Sequence, residues 1–247
     1  MTLTLILLAT LLCGLVSVLL AASLSFTLLQ RHVGLMVSFS VGALLTAALL
    51  GMLPEALKFG MPAEQLGGWL LGGLLLFFLL EKSMLWRHDH TSELKTTVPM
   101  VVVGDGLHNF VDGVAIAAAF QIDPALGFAT TFAILLHEIP QEIGDFMVLL
   151  AAGLSRRRAL LLNAVSGLAM VAGGLAGHWT LDASQAALPV VLALAAASFI
   201  YIAMADLIPH LKRQQHTGAA SAWRQTALIG AGGGAILAGQ SALPYLR

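Results

Sequence analysis

In the stretch DGLHNFVDGVAIA, which begins at Asp105, His108 and Asp112 stand four residues apart, and His137 and Gln141 repeat that spacing in LLHEIPQEIGDF. Residues four apart share one face of a helix, so each pair can turn two polar side chains toward one point. Asn109 lies about 100° round from His108. Glu138, Glu142 and Asp145 make an acidic stripe beside His137. Two such helices facing each other bring imidazoles and carboxylates together. Imidazole nitrogen with carboxylate oxygen suits a borderline divalent ion such as Zn²⁺, Fe²⁺ or Mn²⁺ better than Ca²⁺ or Mg²⁺, which take oxygen alone.

The elements that must position these groups are strongly apolar. Of the 247 residues 58% are apolar and only 10% charged, against about a quarter charged in soluble domains, and mean hydropathy is +0.90. This is the composition of a polytopic membrane protein, all-α because its apolar runs have the length of spanning helices, which satisfy their backbone within lipid, and not of the shorter strands of a barrel. A span needs roughly 20 mainly apolar residues. Uncharged runs of that size fall at 1–30, 33–54, 159–177, 183–205 and 225–246, with a shorter one at 65–80. Two more, about 97–122 and 124–154, carry the polar motifs. The expectation is therefore eight transmembrane helices in a single domain over 1–247. Residues 1–30 contain no Lys or Arg, which argues against a signal peptide. The lone cysteine, Cys13, allows no internal disulfide.

Charged groups within spans are costly, about 2.5–3.5 kcal/mol each on insertion scales, and spans four and five hold no Arg or Lys within their apolar stretches to pair with the carboxylates. A bound cation would supply the missing partner. Pro140 adds to this: inside a helix its ring clashes with the carbonyl of Leu136, four residues back, and frees that oxygen beside His137. Gly104, Gly106, Gly113 and Gly144 flank the polar residues and suit close helix packing.

With the N-terminus outside, all but two of the 12 basic residues, Lys58 and Arg247, fall on the inward side. That bias sets the orientation, and an even number of spans places the C-terminus outside as well. The basic residues are accounted for by topology, so nothing points to nucleic acid. An internal echo is also present: GMLPEALK ends the second span and ADLIPHLKR the seventh, and HNFVDG of the fourth is answered by HEIPQE of the fifth. Each pair runs in opposite directions, the pattern of an inverted repeat with a polar site at its midplane.

HNFVDG followed by HEIPQEIGDF resembles the paired fourth and fifth spans of the ZIP family of divalent metal transporters, most closely the branch whose fifth span reads HEXPHEXGD. YIAMADLIPHL of the seventh span agrees with that resemblance. It implies a three-two-three helix bundle, frequent homodimers and metal movement toward the cytoplasm. It implies His108, Asp112, His137 and Gln141 as primary ligands, with Asn109 and Glu138 at a neighbouring site or on the pathway; Glu142 is the carboxylate on which a second nearby ion would draw. Asp105, Asp145 and Glu55 are pathway candidates. Zinc is the first expectation for the ion, because two imidazoles with one carboxylate suit it, and the same set accepts Fe²⁺, Mn²⁺ or Cd²⁺.

The sequence departs from the family pattern at three places. Gln141 stands where that branch usually has His. Ala47 and Gly51 stand where many relatives carry Asp and His on the second span, and the loop WRHDHTSELK retains only His88 and His90. The compact chain resembles bacterial members, which implies a multi-pass protein of the inner (plasma) membrane.

Structural roles compete with each of these. His108 and Asp112 can be a hydrogen-bonded pair, Glu142 and Asp145 can support a ligand or a kink, and Asp105 can line an inner exit or bond Asn109 at i+4. Met36, Met52, Met170 and Met204 read as packing residues, and His178 and His210 as interfacial ones. Two other functions compete as well. An intramembrane zinc hydrolase would also place His and Glu on facing helices, but Gln141 falls where HExxH needs its second histidine. A non-transporting metal sensor would bind the ion without flux.

Overall fold

The computed structural model describes residues 2–23, 26–86, 93–213 and 219–242. Those residues form eight continuous helical rods. The first joins α1 (Thr2–Leu11) through a π turn at Leu12–Val16 to α2 (Ser17–Ser23). The second joins α3 (Phe26–Thr46) through a π turn at Ala47–Met52 to α4 (Leu53–Lys58). Then come α5 (Ala63–Trp86), α6 (Glu93–Ile122), α7 (Pro124–Ala151) and α8 (Arg156–Ala183). The seventh rod joins α9 (Leu188–Tyr201) through a π turn at Ile202–Leu207 to α10 (Ile208–Arg213), and α11 (Ala219–Ala242) is the eighth.

Among the described residues, six stretches are long and apolar enough to cross a membrane: Thr2–Leu20, Gly34–Lys58, Ala63–Lys82, Val101–Ile122, Arg156–Leu181 and Leu188–Ala205. The other two rods, α7 and α11, are as long but more polar, α7 through Glu138, Glu142 and Asp145 and α11 through Arg224, Gln225 and its glycines. Arg31, counted in the sequence with the inward ends of the spans, lies within α3, ahead of the apolar stretch that begins at Gly34.

The prolines of the two echoing stretches share one local device. Pro54 and Pro209 each follow a π turn by two residues, Ala47–Met52 and Ile202–Leu207 respectively. Proline cannot donate to the helix ladder and crowds the carbonyl four residues back, here Leu50 or Ala205, and a widened turn makes room for it.

Helix α6 is the centre of the assembly. It packs along α8 and also meets α7, α1 and α9. Its contact with α8 is backbone to backbone: a methyl on Gly113 would lie 2.0 Å from the Met170 carbonyl oxygen, and one on Gly173 1.9 Å from that of Phe110. By contrast, a methyl on Gly144 would meet nothing within 4 Å. The core around α6 includes Ile6, Leu44, Ile116, Ile134, Met170, Leu192 and Phe199. Exposed apolar side chains such as Leu71, Leu75, Phe78 and Leu79 on α5 face outward, the inverse of a soluble surface and suited to lipid.

Between α6 and α7 only Asp123 is non-helical. Its extended backbone and its carboxylate, which accepts from the Ala125 N–H at 2.6 Å, cap α7, and Pro124 starts the helix. So short a corner forces the two helices antiparallel and fixes their register. Counting from Asp123, His108 lies fifteen residues back and His137 fourteen on, which at 1.5 Å per residue puts both at about the same depth, roughly 21 Å from the corner.

Candidate metal site

That register brings His108, Asp112, His137 and Glu138 together, each with a ligand atom within 4.8 Å of the others. The two Nε2 atoms are 3.2 Å apart. His137 Nε2 lies 3.0 Å from Asp112 Oδ2 and 3.5 Å from Glu138 Oε1, and His108 Nε2 lies 3.8 Å and 3.5 Å from the same two oxygens. Asp112, His137 and Glu138 are fully buried, while the His108 side chain keeps 16% exposure. Phe199 of α9 stands edge-on to the His137 ring at 6.1 Å and closes that side.

The tautomer of His137 follows from its surroundings. Nδ1 sits 3.2 Å from the Ala133 carbonyl, which can only accept, so Nδ1 carries the hydrogen and, in the neutral ring that binds a metal, Nε2 presents a lone pair. That lone pair faces carboxylate oxygens. No oxygen of Asp112 or Glu138 has a hydrogen-bond partner, despite the short approaches to imidazole. Acceptor facing acceptor in a buried place is unfavourable unless a proton or a metal cation lies between, and a metal cation would satisfy all four groups at once. Two carboxylates, 2−, balance one divalent ion, and the donor set of two imidazoles and two carboxylates fits zinc chemistry.

The other expected residues lie around this cluster. Asn109 is buried and donates from Nδ2 to Asp105 Oδ1 at 2.9 Å, the i+4 bond its spacing allows. Gln141 turns its amide nitrogen to the same oxygen at 3.2 Å. Glu142 is buried with both carboxylate oxygens unpartnered, and Asp145 is half-buried one turn further along α7. Glu55 is not brought to the cluster; it pairs with Lys58 at 2.5 Å at the end of α4. Ala47 and Gly51 are buried in the π turn of the second rod and supply no ligand there. Met52 and Met170 are fully buried packing residues, whereas Met204 is 54% exposed. His88 and His90 lie outside the described residues.

Three supporting side chains escaped the sequence reading. Ser40 of α3 donates to the freed Leu136 carbonyl at 2.6 Å. Ser166 of α8 donates to Asp105 Oδ2, and Asn163 donates to the Glu142 carbonyl at 3.2 Å. Asn163 and Ser166 are polar residues three apart in an otherwise uncharged span, and that spacing was a usable signal.

A multi-pass helical membrane protein with a buried imidazole and carboxylate cluster between two antiparallel helices is thus the class defined by fold and site. The profile of the family described as ZIP Zinc transporter matches residues 83–238. The chain belongs to that family. It is 34% identical to zinc transporter ZIP13 of Pongo abelii over 74% of its own length and 60% of that protein's. It is 40% identical to zinc transporter foi of Drosophila melanogaster over 50% of the chain and 17% of that protein, and 44% identical to human zinc transporter ZIP4 over 47% of the chain and 18% of that protein. The chain therefore spans about three fifths of the length of one of these relatives and under a fifth of the other two.

Proposed function

We propose that the chain carries divalent transition-metal ions, zinc foremost and Fe²⁺, Mn²⁺ or Cd²⁺ as alternatives, across the membrane toward the cytoplasm. The observation that supports this best is the cluster itself, four ligand residues within 4.8 Å with the carboxylates unpartnered. His108, Asp112 and His137 hold the ion, with Glu138 and the Gln141 amide oxygen adding to them and Asn109 and Glu142 beside them. Asp105 and Asp145 lie one turn or more further toward the inner side, on the way out, and Glu55 stands at the outer mouth.

In this reading all eight rods span the membrane as one domain in a three-two-three inverted-repeat bundle. Both termini face outside, the protein resides in the inner (plasma) membrane, and two copies associate. The matched π turns ahead of Pro54 and Pro209 support the repeat. The exposed Arg156, Arg157 and Arg158 at the start of α8 support the orientation. The relatives' names support zinc. No group here supports hydrolysis: Gln141 occupies the place of a second histidine and is bonded to Asp105.

The test is radiometal uptake into proteoliposomes with competing ions. Saturable ⁶⁵Zn²⁺ entry, suppressed by excess Zn²⁺ or Cd²⁺ and untouched by Ca²⁺ or Mg²⁺, is expected. Metal binding with no flux would replace transport by a sensor role.

A further inference from the structure

Asp105 stands outside the four-residue cluster, yet it is 6% exposed and accepts from side chains on three helices. Asn109 Nδ2 reaches its Oδ1 at 2.9 Å, Gln141 Nε2 reaches the same oxygen at 3.2 Å, and Ser166 Oγ donates to Oδ2. A carboxylate without a proton only accepts, whereas an amide has two N–H donors at one end and an acceptor at the other. Asp105 therefore decides which way both amides face. For Asn109 the assignment is complete: its nitrogen also reaches the Asp105 backbone carbonyl at 3.1 Å, so both donors are used, while Oδ1 is buried without a partner. Asn109 lies three residues before Asp112 and so on an adjoining face of α6.

We propose that Asp105 is a positioning residue that holds the Asn109 and Gln141 amides with their oxygens, rather than their N–H groups, available to the ion. An amide turned the other way would present partial positive charge to a cation. Ser166 anchors the carboxylate to α8, so the orientation is set by three packed helices and not by local rotamer preference. This rests on the metal-site reading above.

The experiment measures Co²⁺ and Zn²⁺ affinity of the purified full chain by calorimetry, with the Co²⁺ visible spectrum as a report on the ligand set. Asp105→Asn keeps an oxygen for both amides and can turn its own N–H₂ to Ser166 Oγ, so affinity within about threefold of wild type and an unchanged spectrum are expected. Asp105→Leu removes the side-chain acceptor at similar volume, frees the Gln141 amide to turn and leaves Asn109 held only by the backbone carbonyl of residue 105. It should weaken Co²⁺ binding at least about tenfold and alter the spectrum, and Asp105→Ala, measured alongside in case the leucine variant does not fold, should do the same.

Wild-type affinity and spectrum in Asp105→Leu or Asp105→Ala would overturn the proposal. So would a loss in Asp105→Asn as deep as in Asp105→Leu, which would assign the role to the charge and not to the amides. His108→Ala separates the two levels of inference. If it binds like wild type, the metal site itself is misassigned; if it loses the ion while Asp105→Leu keeps it, only the positioning role fails.

Discussion

Ser40 on α3 donates its hydroxyl to the Leu136 carbonyl on α7 at 2.6 Å, across 96 residues of chain. That carbonyl is the one Pro140 deprives of its helical N–H. That bond ties the carbonyl left free by Pro140 to a neighbouring helix, one residue before His137 of the cluster. Ser40→Ala should destabilise the protein by about 1 kcal/mol, the scale of interhelical hydrogen bonds in membranes, and should also loosen metal binding. Unfolding in mixed micelles measures the first and calorimetry the second; no change in either would show that the bond does not matter.

Removing a primary ligand should be far more damaging to uptake than to folding. His108→Ala, Asp112→Ala and His137→Ala are each expected to lower uptake at least about tenfold while still inserting in the membrane, because taking away a buried polar group favours insertion. Normal transport by both His108→Ala and Asp112→Ala would rule out the site.

Metal affinity should depend on pH in one direction. Imidazole binds metal only when neutral, so protons compete with the ion at His108 and His137. Affinity should fall as the pH is lowered from about 8 toward about 5, the range that brackets ordinary imidazole protonation. Affinity that stays flat or rises on acidification would count against histidine ligation.

In the proposed site, the neutral Gln141 adds no charge for the ion. With Asp112 and Glu138 the cluster balances one divalent cation, and one tightly held ion per protomer is expected. Gln141→Glu would add a carboxylate and remove the donor that now reaches Asp105, leaving two acids side by side. A second cation would relieve that repulsion, so occupancy should rise toward two and turnover slow. Gln141→Ala should cost far less than His108→Ala. Unchanged stoichiometry in the glutamate variant, or an alanine defect as deep as that of His108→Ala, would refute the charge argument.

The sequence by itself determined the membrane class, the helical character of the chain and the residue types of the polar cluster, because each is written locally. Twenty-residue apolar runs register as spans wherever they occur, and i+4 spacing puts His108 with Asp112 and Asp105 with Asn109 before any packing is known. The depth at which His108 meets His137 was nearly legible too, since Asp123 and Pro124 leave one residue for the corner. What the tertiary structure decided is everything that joins distant segments. The spacing of Asn163 and Ser166 marks a polar face but not its partners: Ser40 with Leu136, Ser166 with Asp105 and Asn163 with Glu142 join different helices, and no local spacing names such pairs. The direction of the Gln141 amide belongs here as well: nothing along α7 distinguishes its two ends, and only the buried carboxylate of Asp105, brought against it from α6, does.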